Sequence, residues 1–207
     1  MIKIGLEDNI PTIHYGIKHY FESNSKIKVS SYALNYEVLT NILLTNNIDV
    51  LILDLELADF NVITDLKWII NTFPKTNVLI YSNLNEQLFA LNCIKSGAKG
   101  YIKKSATLKE IEIAVKEIYN GGMVVSDKIK MDLSNKKKRD INSIKRLSAR
   151  ESEVLRHLCS GKKNNEISSV LNINEKTTST YKSRLYKKLD VSNLVDLVAK
   201  CKSMGII

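Results

Sequence analysis

The sequence predicts a doubly wound, five-stranded parallel α/β domain followed by a small all-α helix-turn-helix domain. Three observations lead to this prediction. Short apolar runs alternate with amphipathic stretches over residues 1–120, as they do in βα repeats. A capping-box pattern at Ser148 opens a series of helical segments. The excess of basic residues lies entirely behind residue 126.

Five apolar runs are interpreted as parallel strands. The predicted strands are Ile2–Leu6, Ile27–Ser31, Val50–Leu53, Val78–Tyr81 and Gly100–Ile102. The predicted helices cover residues 11–21, 36–46, 63–73, 86–96 and 107–120. Residues 50–53 are apolar throughout, which is typical of a strand buried on both faces. Because a helix follows each strand, the strands are expected to run parallel in one sheet.

The charge distribution divides the chain. The 207 residues carry 31 Lys and Arg against 22 Asp and Glu. Residues 1–126 hold 12 basic and 13 acidic side chains, residues 127–146 hold 8 and 3, and residues 147–207 hold 11 and 6. Positive charge in the second half indicates a polyanionic partner, nucleic acid first. Residues 131–146 lack periodicity and are interpreted as a flexible basic linker. The predicted divisions are 1–122, a linker 123–144, and 145–207.

Several classes of protein are disfavoured. No apolar run approaches the roughly 20 residues of a membrane helix, and the start lacks a signal-peptide pattern, so we expect a cytoplasmic protein without membrane partners. Three scattered cysteines predict neither a disulfide framework nor a Cys-x-x-Cys metal site. Three histidines make a histidine-based metal centre a poor hypothesis.

Polar side chains follow four of the predicted strands. They are Glu7 and Asp8 after the first, Asp54 after the third, Ser82 after the fourth, and Lys103 and Lys104 after the fifth. Ligands of open α/β sheets bind at the carboxyl ends of the strands. Three carboxylates at one edge repel each other and favour a hard cation such as Mg²⁺. Such a cation would leave Asp54 a plausible oxygen nucleophile toward a phosphoryl group.

The second domain has the pattern of a helix-turn-helix. Its helices are predicted from Ser148 to Gly161, over 164–171, over 175–189 after a turn at 172–174, and over 192–202. The third helix has a thin apolar stripe of Thr178, Leu185 and Leu189. A helix with short polar and basic side chains on its other faces suits a DNA major groove. The candidates for phosphate contacts are Lys176, Lys182, Arg184 and Lys187.

The first 120 residues resemble the receiver domain of bacterial two-component response regulators. The matching stretches are residues 4–9, 49–54, 78–82 and 97–104. The resemblance implies that Asp54 is the phosphoacceptor and that Glu7, Asp8, Asp54 and the backbone carbonyl of Glu56 bind Mg²⁺. It also implies a switch formed by Ser82, Tyr101 and Lys104. Tyr101 selects Lys104 because the aromatic residue precedes the lysine by three positions, with Lys103 as the alternative.

This sequence departs from the receiver pattern beside Asp54. Leu57-Ala58 replaces the usual Met-Pro, and the following residues 59–61 carry no glycine. Without proline to fix φ, we expect a less rigid loop. Asn83 replaces the usual small residue after the switch hydroxyl, and is expected to narrow access to Asp54.

Residues 145–205 resemble the LuxR/FixJ-type helix-turn-helix, through residues 147–155, Gly161, residues 164–167 and residues 177–189. This resemblance implies that Ser179, Thr180 and Ser183 contact base edges and that Thr177 also contacts DNA. The whole chain resembles response regulators of the NarL/FixJ class. The resemblance implies a non-enzymatic transcriptional regulator, activated by Mg²⁺-dependent phosphorylation of Asp54, that dimerises and binds promoter DNA. The implied partners are double-stranded DNA, a sensor histidine kinase, a second copy of the chain and, as a further candidate, RNA polymerase.

Two alternatives stay open at this stage. An atypical receiver would bind DNA without control by phosphorylation. An aspartate-nucleophile phosphatase would use Asp54-Leu55-Glu56, which resembles an Asp-x-Asp motif, but that motif belongs on a first strand and this one follows the third.

Overall fold

The structure, a computed structural model, describes residues 1–23, 26–57, 60–62, 64–134 and 147–203. Its strands are β1 (Ile2–Glu7), β2 (Ile27–Ala33), β3 (Val50–Leu53), β4 (Asn77–Ser82) and β5 (Gly100–Lys103). The helices that alternate with them are α1 (Pro11–Glu22), α2 (Tyr36–Thr45), α3 (Thr64–Thr72), α4 (Glu86–Lys95) and α5 (Leu108–Tyr119). Every strand and helix predicted for the first 120 residues is present, with ends shifted by one or two residues.

The five strands form one parallel sheet in the order β2-β1-β3-β4-β5. Residues of β3 alternate between two apolar layers. Leu51 and Leu53 join the layer under α2, α3 and α4, whereas Val50 and Ile52 join the layer under α1 and α5. The doubly wound fold is therefore confirmed, and helices on both faces explain why β3 is apolar throughout.

The α/β domain extends further than predicted. Helix α6 (Asp127–Ser134) lies within the predicted linker 123–144 and packs against α4. Backbone bonds from Tyr101 N to Val124 O and from Val124 N to Lys99 O extend the sheet edge, and Ile129 is buried. The linker prediction is thus wrong for residues 123–134, because Val125, Ile129 and Leu133 recur at helical spacing and bury apolar surface. The remainder, 135–144, lies outside the described residues.

The C-terminal domain contains α7 (Ala149–Cys159), α8 (Asn164–Val170), α9 (Glu175–Leu189) and α10 (Leu194–Ser203). Its single core cluster includes Leu155, Ile167, Leu185 and Leu197. The capping box predicted at Ser148 is present: the Ser148 N–H donates to the Glu151 carboxylate at 2.6 Å, and the Glu151 N–H donates to the Ser148 hydroxyl at 3.3 Å. We call residues 147–203 the helical domain and residues 1–134 the α/β domain.

Candidate functional site

The carboxyl ends of β1, β3, β4 and β5 bring the predicted polar side chains to one edge of the sheet. Glu7, Asp8, Asp54 and Ser82 are all buried there. Parallel pairing sets their positions, since the Asp54 N–H donates to Glu7 O at 3.1 Å and the Lys104 N–H donates to Ser82 O at 3.2 Å. These buried groups form an acidic pocket, defined here by Glu7, Asp8 and Asp54.

Lys104 supplies the positive charge in the acidic pocket. Its Nζ lies 2.7 Å from Asp54 Oδ2 and 2.8 Å from Asp8 Oδ2, and its side chain is only 6% exposed. Burial alone would lower the pKa of Lys104, but the bonds to Asp54 and Asp8 outweigh burial and raise it. Lys103 is exposed, so the structure brings Lys104 and not Lys103 to the pocket.

One ammonium does not balance three carboxylates. Both Glu7 side-chain oxygens and Asp54 Oδ1 are buried without a hydrogen-bond partner. Burial first, and then the charges of Asp54 and Asp8, raise the pKa of Glu7 to about 10. Unpartnered carboxylate oxygens of this kind are the donors that Mg²⁺ prefers, so the residues present fit that cation. Among the described residues no three acidic or histidine side chains already stand in metal-binding geometry, and Lys104 holds two of the acids.

The loop after β3 places Glu56 at the mouth of the acidic pocket. Its side chain is exposed and accepts a hydrogen bond from the backbone N–H of Asn83, the residue after Ser82. Partial burial and the nearby Asp54 charge raise the pKa of Glu56. Glu56 and Asn83 therefore link the ends of β3 and β4 at the rim.

Ser82 and Tyr101 lie side by side behind the pocket. The Ser82 hydroxyl accepts from Leu84 N at 3.3 Å, and the Tyr101 hydroxyl donates to Leu84 O at 2.8 Å. Both side chains are buried. The aromatic ring thus occupies an inward position that depends on the loop joining β4 to α4.

The loop after Asp54 also carries a contact that the sequence did not suggest. Arg156 of α7 donates to the carbonyls of Leu55 and Phe60, the latter at 3.2 Å. Arg150 of the same helix donates to Asn61 Oδ1 at 3.2 Å. This loop is the one that departs from the receiver pattern. Its described residues Leu55, Phe60 and Asn61 bind the helical domain to the α/β domain. Nothing in the local pattern around Arg156 marks this role, because its partners lie about 100 residues away in sequence.

A second missed feature is His14 on α1. It is buried, its ring lies 5.5 Å from that of Tyr32, and its Nε2 has no hydrogen-bond partner. Burial lowers the pKa of His14 more than the neighbouring Asp8 raises it. The only sequence signal was a histidine near the start of a helix that follows the acidic pair.

Helix α9 presents the predicted DNA-contacting side chains to solvent. Lys176, Ser179, Thr180, Ser183 and Lys187 recur at spacings of three or four, so they share one stripe, and all are exposed. The buried residues Thr178, Leu185 and Leu189 lie on the opposite side, as expected.

The other three predicted residues flank this stripe. Thr177 and Arg184 are exposed on one side, and the Arg184 guanidinium lies 5.8 Å from the Tyr181 ring. Lys182 is half-buried on the other side, with Nζ 5.8 Å from the Tyr186 ring. The Asn174 side chain caps α9 by accepting from Lys176 N at 2.7 Å, which leaves the first turn of the stripe well ordered.

An acidic pocket at the carboxyl edge of a doubly wound sheet, joined to a helix-turn-helix, defines a two-domain regulatory protein. Comparison with known families agrees with this class. Residues 4–116 match the response regulator receiver domain, and residues 145–201 match the bacterial regulatory proteins of the luxR family. The chain belongs to the two-component response regulators of the NarL/FixJ class, with a receiver domain and a LuxR-type DNA-binding domain.

Individual relatives span nearly the whole chain. The Fimbriae Z protein of Escherichia coli strain K12 is 30% identical over 201 residues, covering 97% of this chain and 96% of that protein. The response regulator UvrY of the same strain is 27% identical over 200 residues, with 95% and 92% covered. A solved structure of RcsB from Salmonella enterica serovar Typhimurium, bound to promoter rprA in the presence of phosphomimetic BeF3⁻, has a TM-score of 0.83 and 25% identity, with 98% and 100% covered.

Membership of this family decides one alternative. DNA-binding response regulators are not enzymes, which confirms the non-enzymatic prediction and excludes the phosphatase alternative. Separately, none of the helices in the described ranges is both long and apolar enough to cross a membrane.

Proposed function

We propose that this response regulator is switched by Mg²⁺-dependent phosphorylation of Asp54 and then binds promoter DNA as a homodimer. The observation that carries the proposal is the buried Asp54 carboxylate, with one oxygen paired to Lys104 and the other unpartnered among two further acids. Such a carboxylate is held ready as a nucleophile while its neighbours provide metal ligands.

The chemistry is transfer of a phosphoryl group to Asp54. The free Oδ1 attacks phosphorus, and the bond between phosphorus and the donor atom breaks, which is a nitrogen in a kinase phosphohistidine and an oxygen in acetyl phosphate. The donor leaves with that electron pair. Mg²⁺ bound by Glu7, Asp8, Asp54 and the Glu56 carbonyl would neutralise charge on the phosphoryl oxygens. Lys104 and the Ser82 hydroxyl then bind two of the phosphoryl oxygens.

Phosphorylation would alter the rest of the molecule through two structural changes, one at Ser82 and one in the loop after β3. Phosphate on Asp54 would draw Ser82 away from Leu84 N, which frees the β4–α4 loop and the Tyr101 hydroxyl bonded to it. Phosphate on Asp54 would also change the adjoining loop, in which the carbonyls of Leu55 and Phe60 accept hydrogen bonds from Arg156 of the DNA-binding domain. Both steps shift an equilibrium between two existing arrangements.

The DNA-binding stripe of α9 supports the output. It is exposed, and the interdomain hydrogen bonds of Arg150 and Arg156 come from α7. The RcsB structure with promoter rprA supports a DNA partner. A structure of two RcsB dimers bound to two parallel DNAs supports binding as a dimer. A sensor histidine kinase would supply the phosphoryl group, and RNA polymerase is the further partner proposed for the promoter. A cytoplasmic location is part of the proposal, because promoter DNA and its polymerase lie there. The proposed domain boundaries become 1–134 and 145–207.

Mass spectrometry after incubation with acetyl phosphate and Mg²⁺ tests the switch. We expect one phosphoryl group on wild type, none on Asp54→Ala, and none when EDTA replaces Mg²⁺. Promoter binding measured on the same samples should rise with labelling. Labelling of Asp54→Ala at the wild-type level would contradict the assignment. DNA binding that is equal with and without labelling would instead favour the atypical receiver. The departures from the receiver pattern at Leu57-Ala58 and Asn83 are the reason for considering that alternative.

A further inference from the structure

Two neighbouring hydroxyls on the exposed stripe of α9 differ in the direction of their hydrogen bonds. Asn164 Nδ2, at the start of α8, donates to Ser179 Oγ at 3.1 Å. Thr180 Oγ1, one residue further along, donates to the backbone carbonyl of Lys176 at 2.9 Å. Ser183 on the same stripe forms no hydrogen bond with any described residue.

We infer that these bonds give the stripe a fixed donor and acceptor polarity, so that Ser179 acts as a hydrogen-bond donor to base edges and Thr180 as an acceptor. The inference rests on the proposed function, because it requires that α9 enters a major groove. In it, Asn164 is a positioning residue that acts through Ser179. A free serine or threonine hydroxyl can play either part and therefore reads bases ambiguously.

The polarity follows from which atoms are already used. Ser179 Oγ accepts from Asn164, which occupies one of its two lone pairs, so its own hydrogen points away toward solvent and donation becomes its favoured contact. Major-groove acceptors are N7 and O6 of guanine, N7 of adenine and O4 of thymine, whereas cytosine offers only an N4 donor. Ser179 should therefore discriminate against cytosine at the base it contacts.

Thr180 has the opposite preference. Its hydrogen is committed to Lys176 O, so only its oxygen lone pairs and its methyl group face outward. The lone pairs accept from N6 of adenine or N4 of cytosine, and the methyl group packs against the thymine methyl. Guanine presents only acceptors on its major-groove edge, so Thr180 should discriminate against guanine. Ser179 would thus disfavour cytosine and Thr180 would disfavour guanine, which are complementary bases.

Selection from a randomised duplex pool by the full chain tests this polarity. Ser179→Ala and Thr180→Ala first locate the base pair that each side chain contacts, as the position where preference relaxes. At those positions wild type should deplete cytosine and guanine respectively, by about three- to tenfold, the effect expected of one hydrogen bond. Enrichment of cytosine at the Ser179 position, or of guanine at the Thr180 position, would overturn the inference.

Asn164 variants test the positioning role. Asn164→Ala should abolish the depletion of cytosine while changing affinity for non-specific duplex by less than about twofold. Asn164→Asp offers an acceptor in place of the donor, so it should reverse the direction of the Ser179 bond and enrich cytosine or adenine, whatever its charge does to overall affinity. Asn165→Ala, at the exposed neighbour of Asn164 on α8, is the matched control and should leave both positions unchanged. A merely structural role for Asn164 would weaken all sequences alike, and that result, or unaltered preference in Asn164→Ala, would overturn the inference.

Modified bases separate this inference from the proposed function. Where the Ser179 position selects adenine, whose one major-groove acceptor is N7, replacement by 7-deazaadenine should weaken wild type by about three- to tenfold and Ser179→Ala by less than about twofold. Where that position selects guanine, N7 and O6 are replaced in turn, and one of the two replacements should have this effect. Equal loss in both proteins would contradict donation by Ser179 and leave DNA binding itself intact. Absence of any duplex binding by wild type, labelled or unlabelled, would instead contradict the proposed function.

Discussion

At the scale of single residues, burial is the largest cause of the pKa shifts of two polar side chains. Glu7 and His157 are both buried, and in both the charged form is disfavoured. Glu7 lies among like charges, whereas His157 lies among apolar neighbours and two cations. The cations near His157 are its sequence neighbours, and Asp8 is adjacent to Glu7, but the burial of both side chains and the approach of Asp54 to Glu7 come from distant elements.

Glu7→Gln should stabilise the α/β domain when metal is removed. In EDTA we expect the free energy of unfolding to rise by about 1–3 kcal/mol, because a glutamine avoids the cost of either burying the Glu7 carboxylate among Asp8 and Asp54 or protonating it on folding. Saturating Mg²⁺ should stabilise wild type more than the variant, since binding to the native state adds to its stability. Urea unfolding with and without Mg²⁺ measures both effects.

Glu117→Gln, which changes an exposed acid of α5, is the matched control and should behave like wild type. A Glu7→Gln protein that is less stable than wild type in EDTA and equally stabilised by Mg²⁺ would contradict the assignment of Glu7 to a metal site.

His157 should make the helical domain less stable in mild acid. Burial first, then Arg156 and Lys162, lower its pKa from the ordinary 6.5 to about 3. Below pH 6.5 the unfolded chain therefore binds a proton that the folded domain excludes, and stability falls as the pH falls toward 3. From pH 7 to pH 5, wild type should lose up to about 2 kcal/mol more than His157→Gln.

Amide exchange of the core residues of α7 and α9, corrected for intrinsic rates, gives this difference. His19→Gln, at an exposed histidine, should retain the wild-type pH dependence. Parallel pH profiles for wild type and His157→Gln would show that His157 is not excluded from protonation.

At the scale of elements, local patterns and tertiary contacts agree almost everywhere. Helix α5 has a capping box between Thr107 and Glu110, and its apolar residues recur on one face, so pattern and packing point to the same element. Helix α6 is different. It follows two glycines and precedes a basic run, so the surrounding composition suggested a linker. Burial of Val125 and Ile129 against α4 decides in favour of a helix.

Ile129→Ala should therefore destabilise the α/β domain and not merely the segment around it. Removing a buried isoleucine side chain costs about 2–5 kcal/mol. Met131→Ala, an exposed position on the same helix, is the control and should cost less than about 0.5 kcal/mol. Urea unfolding followed through the tryptophan at position 68 reports on this domain. Equal stability of the two variants would mean that α6 is not part of the domain's core.

At the scale of the whole molecule, α7 ties the DNA-binding domain to the receiver domain. Arg156 and Arg150 bind the loop after β3, and the Ser152 hydroxyl lies 3.5 Å from Leu88 O on α4. Helices α6 and α7 both pack against α4, so in this arrangement they cover the α4 part of the face formed by the last two βα units. Use of that part of the face in dimerisation would require α7 to leave it.

Arg156→Ala should loosen the two domains. The variant removes the donors to Leu55 O and Phe60 O and leaves those carbonyls to water, so amide exchange should increase in α7 and in residues 54–62. Small-angle scattering should show a larger radius of gyration. Unphosphorylated Arg156→Ala should also bind promoter DNA more tightly than unphosphorylated wild type, because α7 would no longer cover the α4 part of the face and two copies could pair on the DNA.

Lys202→Ala, at an exposed position of α10, serves as the control for lost positive charge and should leave scattering and exchange unchanged. Unaltered exchange and dimensions in Arg156→Ala would show that the arginine does not hold the domains together.

Much of this protein could be predicted from its sequence, for an identifiable physical reason. Alternating apolar runs specify βα units, and parallel strands bring their carboxyl ends to one edge, so Glu7, Asp8, Asp54, Ser82 and Lys104 could be grouped by their positions in the chain alone. The stripe on α9 likewise follows from helical periodicity. Such features depend on spacing within an element or on a topology with few alternatives.

Only the tertiary structure decided the features that depend on contacts between distant segments. These are the helix α6, the direction of the Ser179 bond, and the arginines that join α7 to the loop after Asp54. Each is set by which groups meet after folding and by which hydrogen bonds they must satisfy when water is excluded. Local sequence carries no record of those partners, because the interacting residues lie up to about 100 positions apart.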